Sequence, residues 1–460
     1  MMAQVVESIF RAYDIRGVVD EALSEETVEW IGRALGSEVI QSGQSKIVIG
    51  RDGRLSGPRF IECLARGLQA AGVDVIYLGE VTTPMVYFAA ATLDGVNSCA
   101  AITGSHNPPN YNGIKMVVDG TTLSGDWIQT LLKRIQNDDF ETGSGCFSEL
   151  DISQAYHDAI VKEIQLKRPL KVVVDAGNGV AGEYAPQIIH DLGCEVTELF
   201  CEVDGTFPNH HPDPAKPKNL VDLINKVKEV GADIGLAFDG DGDRCGVVDD
   251  QGMVIYADRQ MMLYARDVLS RQPGAEILFD IKCTSLLAKE IEADGGKPTM
   301  WKTGHSFMKA KLKETGAALA GEVSGHIFFK ERWYGFDDGI YGAARMLEIV
   351  AGQPQTAHQL FSALPDAYNT PEMDVEFAEG EHYAFMEKFK KIAHFADATI
   401  FDLDGIRADF ADGWGLVRPS NTTPVLVMRF EGETPEALKR IQAEFKVLLH
   451  QVDPNLELPF

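Results

Sequence analysis

Three carboxylates alternate with glycine in the segment Asp239-Gly240-Asp241-Gly242-Asp243-Arg244. Side chains at i, i+2 and i+4 cannot share one face of a helix. On a loop that glycine allows to turn tightly, they can wrap around one hard cation. Without a cation, such crowded carboxylates raise one another's pKa and destabilise the loop. The preceding Ile234-Gly-Leu-Ala-Phe238 run reads as a buried strand, which delivers the loop into a cleft rather than leaving it as a solvated acidic turn. An EF-hand loop does not fit, because Arg244 stands at its turn-glycine position and Asp250 at its bidentate-glutamate position. Three carboxylates suit Mg2+, with coordination positions left for a phosphate oxygen.

A second polar loop, Thr103-Gly104-Ser105-His106-Asn107-Pro108-Pro109, is stiffened by two prolines and offers the Ser105 hydroxyl at the end of an apolar run. Most turn serines are structural. Beside a metal loop, with His106 adjacent and Lys115 beyond it, Ser105 becomes a candidate nucleophile for an anionic group. Asn107, not glycine, stands two residues after Ser105, so a G-x-S-x-G elbow for acyl transfer is absent. In Gly321-Glu322-Val323-Ser324-Gly325-His326, an extended segment turns Glu322 and Ser324 the same way. That pair can grip neighbouring sugar hydroxyls, and His326 can move a proton or serve as a structural hydrogen-bonding group. Arg418-Pro419-Ser420-Asn421-Thr422-Thr423 combines a guanidinium, three hydroxyls and an amide in an anion pocket.

These loops need elements to hold them, and the chain supplies a repeat. Lys46-Ile-Val-Ile-Gly50, Lys171-Val-Val-Val-Asp175 and Glu276-Ile-Leu-Phe-Asp280 each read as a buried strand meeting a polar turn and then a helix. A second apolar run follows in each copy and opens into the Ser105, Asp239 or Glu322 loop. A period of roughly a hundred residues predicts three related α/β domains whose loops converge on one cleft. The remainder alternates short strand patterns with two helical ones, predicting a smaller α+β domain. The expected domains are 1–150, 151–253, 254–365 and 366–460.

The formal charge of -27 argues against nucleic-acid or anionic-membrane binding. A small anion then requires cations gathered at its site, and Lys115, Arg244, Lys282, His305 and Arg418 are the candidates. No run approaches the ~20 apolar residues of a membrane span, and the first residues lack a secretory pattern. Seven scattered cysteines without CxxC spacing predict reduced thiols in a cytoplasm.

In this order, with Phe10-Arg11-Ala12-Tyr13-Asp14-Ile15-Arg16-Gly17 at the front, the loops resemble those of the α-D-phosphohexomutase superfamily. Within it the chain is most similar to the bacterial phosphomannomutase/phosphoglucomutase branch. The resemblance implies four domains around a central cleft. It also implies a phosphorylated Ser105 and Mg2+ held by Asp239, Asp241 and Asp243 together with the Ser105 phosphate. His106, Lys115, Arg244 and His326 would assist proton movement or stabilise charge. Glu322 and Ser324 would read sugar hydroxyls; Arg418, Ser420, Asn421, Thr422 and Thr423 would hold the non-reacting phosphate. Tyr13, Arg16, Lys282 and His305 match further cleft positions, while Val323 stands where that branch often has Met.

The expected activity is transfer of a phosphoryl group between O1 and O6 of mannose or glucose phosphates, with glucose 1,6-bisphosphate as activator and intermediate. The chain is expected to act as a monomer. A mutase for glucosamine or N-acetylglucosamine phosphate is the nearest alternative. A metal-dependent phosphatase is a more distant one, because a hydrolase has no need of the Arg418 loop.

Overall fold

The computed structural model describes residues 5–378, 380–420 and 423–460. Asn421 and Thr422 of the expected phosphate loop lie outside them. Strands form where the Val- and Ile-rich runs stand, and Val172, Val173 and Val174 are all buried, as a strand covered on both faces requires.

Three sheets share one strand order. In the first, Tyr111–Val118, Cys99–Ile102, Lys46–Arg51 and Asp74–Glu80 lie side by side. In the second the corresponding strands are Cys245–Asp249, Ile234–Phe238, Lys171–Asp175 and Glu195–Leu199. In the third they are Ile327–Phe329, Leu319–Gly321, Glu276–Asp280 and Lys297–Trp301. Each time the last three strands are parallel and the first is antiparallel to its neighbour. The Ser105, Asp239 and Glu322 loops therefore leave the C-terminal end of the same strand in each copy. The second sheet also takes in Val254–Ile255. The fourth sheet is antiparallel, built on Val425–Gly432 and Gly413–Pro419, with helices Glu381–Ile392 and Pro435–Val452 against it.

The first unit has its own core. The second and third share a core that also includes helix Thr83–Thr92 of the first, whose sequence is apolar all round. The Thr82 hydroxyl caps that helix by accepting from Met85 N–H. Its first turn points at the metal loop: Thr83 N–H donates to the Asp241 carbonyl at 3.0 Å. The fourth unit has a separate core and meets the third through Ile281, Trp414 and Leu416. Among the described residues no helix is long and apolar enough to cross a membrane.

Candidate active site

Four strand ends and one long-range pairing assemble the site. Arg244 and His326 pair as an isolated antiparallel bridge, so the metal loop and the Glu322 loop are joined backbone to backbone. Across the first boundary, a Cβ on Gly240 would lie 2.4 Å from the Ser105 carbonyl oxygen; only glycine allows this approach.

Ser105 Oγ donates to Asp239 Oδ2 at 2.9 Å and lies 3.2 Å from His106 Nδ1. Lys115 Nζ bridges Asp241 Oδ2 at 2.7 Å and Asp243 Oδ2. All three aspartates are fully buried. Burial pushes Asp239 well above the usual carboxylate range, and Asp243 and Asp241 add to it. Burial acts likewise on Asp241 and Asp243, but Lys115, joined by the Thr83 hydroxyl at Asp241 and by His326 and Arg244 at Asp243, holds both below that range. Burial opposes the charge on Lys115, yet Asp241 and Asp243 raise its pKa and keep it an ammonium. His106 is driven well below its ordinary value by burial and then by Arg244 and Arg16, so it is a neutral imidazole.

The aspartates fit a hard dication on their own geometry. One oxygen from each lies within 4.8 Å of the others, and Asp241 Oδ1 and Asp243 Oδ1 are buried without a hydrogen-bond partner. Buried carboxylate oxygens left without a donor in so close a cluster call for a cation.

On the facing loop, Glu322 Oε1 accepts from Gly304 N–H and Oε2 lies 3.0 Å from His326 Nδ1. Ser324 Oγ is 3.1 Å from the same nitrogen. Burial and Arg244 pull His326 down, but Asp243 and Glu322 outweigh them and raise it to about 9. With the proton present, Nε2 faces Asp243 Oδ1 at 3.4 Å; with it absent, Nε2 accepts from Arg244 Nε at 3.2 Å. His326 is thus poised between two partners. His305 lies beside it, with ring centroids 5.6 Å apart, and Tyr13 packs edge-on against His305. Arg16 pairs with Asp14 and reaches Asn107 in the serine loop.

The Arg418 loop reaches this cluster through Asp404, whose Oδ2 also accepts from Thr303 N–H at 3.3 Å, beside the Gly304 that holds Glu322. Arg418 Nε pairs with Asp404 at 2.9 Å, and Ser420 and Thr423 bond each other at 3.1 Å. Lys282 connects the two sides: it belongs to the third unit and pairs with Glu372 of the fourth at 2.6 Å.

Arg54 escaped the sequence reading. Its guanidinium donates to the carbonyls of Ser105 and Asn107, both at 2.7 Å, of Pro108 at 2.6 Å and of Tyr111 at 3.0 Å. Asp52 orients it and also accepts from Thr103 Oγ1 at 2.7 Å. The strand-end position of Arg51-Asp52-Gly53-Arg54, equivalent to that of the other polar turns, was the available signal. Asp337 and Lys309, paired at 2.8 Å beside His305, had no sequence signal.

Three like sheets presenting a serine, an aspartate triad and a carboxylate–histidine pair to one cleft define an α/β phosphoryl-transfer isomerase. The models of the phosphoglucomutase/phosphomannomutase family match all four units: α/β/α domain I over 7–142, domain II over 154–252, domain III over 256–368 and the C-terminal domain over 372–447. The chain belongs to this family. A phosphomannomutase/phosphoglucomutase of Pseudomonas putida is 54% identical over 100% of this chain and 99% of its own length. A phosphoglucomutase of Neisseria gonorrhoeae is 51% identical over 100% of both. A phosphoglucomutase/phosphomannomutase family protein of Burkholderia thailandensis, solved by crystallography, superposes with a TM-score of 0.95 at 53% identity, covering 99% of this chain and 100% of that one.

Proposed function

We propose that the chain interconverts the 1- and 6-phosphates of mannose and glucose through a phosphorylated Ser105. The observation that carries this is the Ser105 hydroxyl lying 2.9 Å from Asp239, within a buried aspartate–lysine–arginine cluster. Phosphoryl transfer asks a protein for alignment and fixed charge more than for covalent chemistry. Phospho-Ser105 donates its phosphoryl to the free O1 or O6. The bisphosphate then turns in the cleft, and the other phosphoryl returns to Ser105.

Lys115 and Arg244 hold positive charge at the equatorial oxygens, because their buried carboxylate partners keep them protonated. His326, switching between Asp243 and Arg244, carries the proton of the accepting or leaving hydroxyl. Glu322, fixed by Gly304 N–H and His326, and Ser324 read sugar hydroxyls. Arg418, Ser420 and Thr423, with Lys282, Tyr13, Arg16 and His305 along the cleft, hold the phosphate that does not react. Asn421 and Thr422 complete that loop in sequence. Asp239, Asp241 and Asp243 would hold Mg2+, with an oxygen of phospho-Ser105. Bound there, it neutralises charge on the transferring group. Glucose 1,6-bisphosphate is the activator. A single chain carries all four loops, which supports a monomer, and seven free cysteines support a cytoplasmic setting.

The test follows mannose 1-phosphate and glucose 1-phosphate with Mg2+ and catalytic glucose 1,6-bisphosphate, in wild type and Ser105→Ala, with free phosphate monitored. The 6-phosphates should form without phosphate release, and the variant should lose turnover by several orders of magnitude. Steady phosphate release would establish a phosphatase instead, and turnover of amino-sugar phosphates alone would move the substrate assignment.

A further inference from the structure

Asp241 uses its two carboxylate oxygens unequally. Oδ2 accepts from Lys115 Nζ at 2.7 Å and from the Thr83 hydroxyl at 2.6 Å, while Oδ1 is buried and makes no hydrogen bond. Lys115 belongs to the charged cluster already described. Thr83 comes from elsewhere: it opens helix Thr83–Thr92 of the first unit, 158 positions from its partner. The same residue grips the loop a second time, its N–H donating to the Asp241 carbonyl at 3.0 Å.

The local sequence keeps that hydroxyl on its target. At the first helical position there is no helical carbonyl one turn back to take its proton, so it donates outward. Pro84 fixes the next backbone angle, the Thr82 hydroxyl accepts from Met85 N–H, and branching at Cβ restricts the Thr83 rotamer. The residues from Thr83 to Ala90 are all buried, and Met85 to Ala90 lie in the core that the second and third units share. Thr82 itself lies against the loop, since a Cβ on Gly242 would stand 3.0 Å from its Cγ2.

The two donors to Oδ2 respond differently to a cation. The Lys115 ammonium repels a dication, whereas the Thr83 hydroxyl carries no charge and keeps its bond. With Oδ2 so held the carboxylate cannot turn, and Oδ1 is left as its free ligand oxygen.

We propose that Thr83 is a positioning residue for the metal loop, its hydroxyl locking the Asp241 carboxylate so that one oxygen stays free for the divalent cation. It acts from the first unit on a ligand of the second, so cation affinity depends on the seating of helix Thr83–Thr92 as well as on the aspartates. The inference rests on the reading of Asp239, Asp241 and Asp243 as the cation site.

Mn2+ added to the full-length, chelator-treated protein tests this without substrate, the free ion being followed by its electron paramagnetic resonance signal. Wild type should take up a single ion per chain, and Asp241→Asn should bind it far more weakly. No uptake by wild type, or undiminished uptake by Asp241→Asn, would remove the cation site and the inference with it. Once the site is established, Thr83→Val, close to threonine in volume, should raise the Mn2+ dissociation constant by about 10- to 100-fold. Thr83→Ser keeps the hydroxyl and should bind as wild type does. Unchanged affinity in Thr83→Val, or equal weakening in Thr83→Val and Thr83→Ser, would overturn the role of the hydroxyl and leave the cation site standing. Should Thr83→Val not fold, Thr83→Ala and Thr83→Ser carry the same comparison, because they differ only in the hydroxyl.

Discussion

Ser105 sits at a backbone φ of 48°, in the left-handed region that costs a non-glycine residue on the order of 1 kcal/mol. Its N–H donates to Thr103 Oγ1 at 2.7 Å and its carbonyl accepts from Arg54, so the strain is sustained by fixed partners. Arg54 therefore belongs to the machinery as a positioning residue. Lysine keeps the charge but not the planar fork, and leaves some of those buried carbonyls unpaired. Arg54→Lys should destabilise the protein by about 3 kcal/mol in urea unfolding. It should also lower kcat more than it raises KM; wild-type stability and turnover together would remove Arg54 from this role. The sequence announced Ser105, the aspartates and Glu322 because each stands in an unusual local string. Arg54 acts 51 positions from Ser105, and its own neighbourhood is an ordinary charged turn. Asp337 was hidden for the same reason: its meaning comes from Lys309, His305 and His326, which only the fold brings to it.

At the scale of elements, the strands legible in the sequence were those buried on both faces. The outermost of the four strands in each copy, Asp74–Glu80, Glu195–Leu199 or Lys297–Trp301, escaped notice because it lies toward the sheet edge and alternates weakly. Lys297–Trp301 has no fully buried residue, and neither does Glu195–Leu199. Gly413–Pro419 was missed because glycines interrupt its apolar pattern, although Gly415 is required where a Cβ would meet Phe445 at 2.5 Å. One connecting segment has a pH-dependent anchor. Behind the metal loop, His210 places Nε2 3.1 Å from both oxygens of Asp175, and Nδ1 3.0 Å from the His211 carbonyl. Both nitrogens donate only in the imidazolium. Burial opposes that charge, but Asp175 outweighs it and lifts His210 above its ordinary 6.5. A raised histidine stabilises the fold fully below its unfolded value, and the contribution is lost as pH rises through the folded one. Wild type should therefore exceed His210→Gln by about 1.5–3 kcal/mol near pH 6, with the gap shrinking as pH rises through the raised folded value. Denaturant titrations across that range check this, and a gap independent of pH would assign His210 a packing role only.

The whole molecule must keep an acidic chain attractive to an anion, and it does so by gathering Arg16, Lys115, Arg244, Lys282 and Arg418 at one cleft. It must also hold that cleft between units of unequal attachment. The second and third units share a continuous apolar core, so they separate only by exposing it. The fourth is attached by one small apolar cluster, Ile281 with Trp414 and Leu416, and by a set of polar bonds. Arg407, fully buried over the Trp414 ring at 3.9 Å, donates to the Ile281 and Cys283 carbonyls at 2.6 and 2.7 Å. Arg429 reaches the Lys282 carbonyl at 2.7 Å, and Lys282 itself pairs with Glu372. Polar interfaces of this kind admit relative motion far more readily than shared cores do. Removing Arg407 strands two carbonyls and an aromatic face at the junction, which should cost about 3 kcal/mol of docking, roughly a hundredfold in the opening equilibrium. In Arg407→Ala, hydrogen exchange should accelerate across the contact residues 281–285 and the fourth unit, while strands Lys171–Asp175 and Ile234–Phe238 keep wild-type protection. Uniform acceleration through all four units would mean instead that the chain opens as one cooperative body, with the fourth unit no more loosely held than the rest.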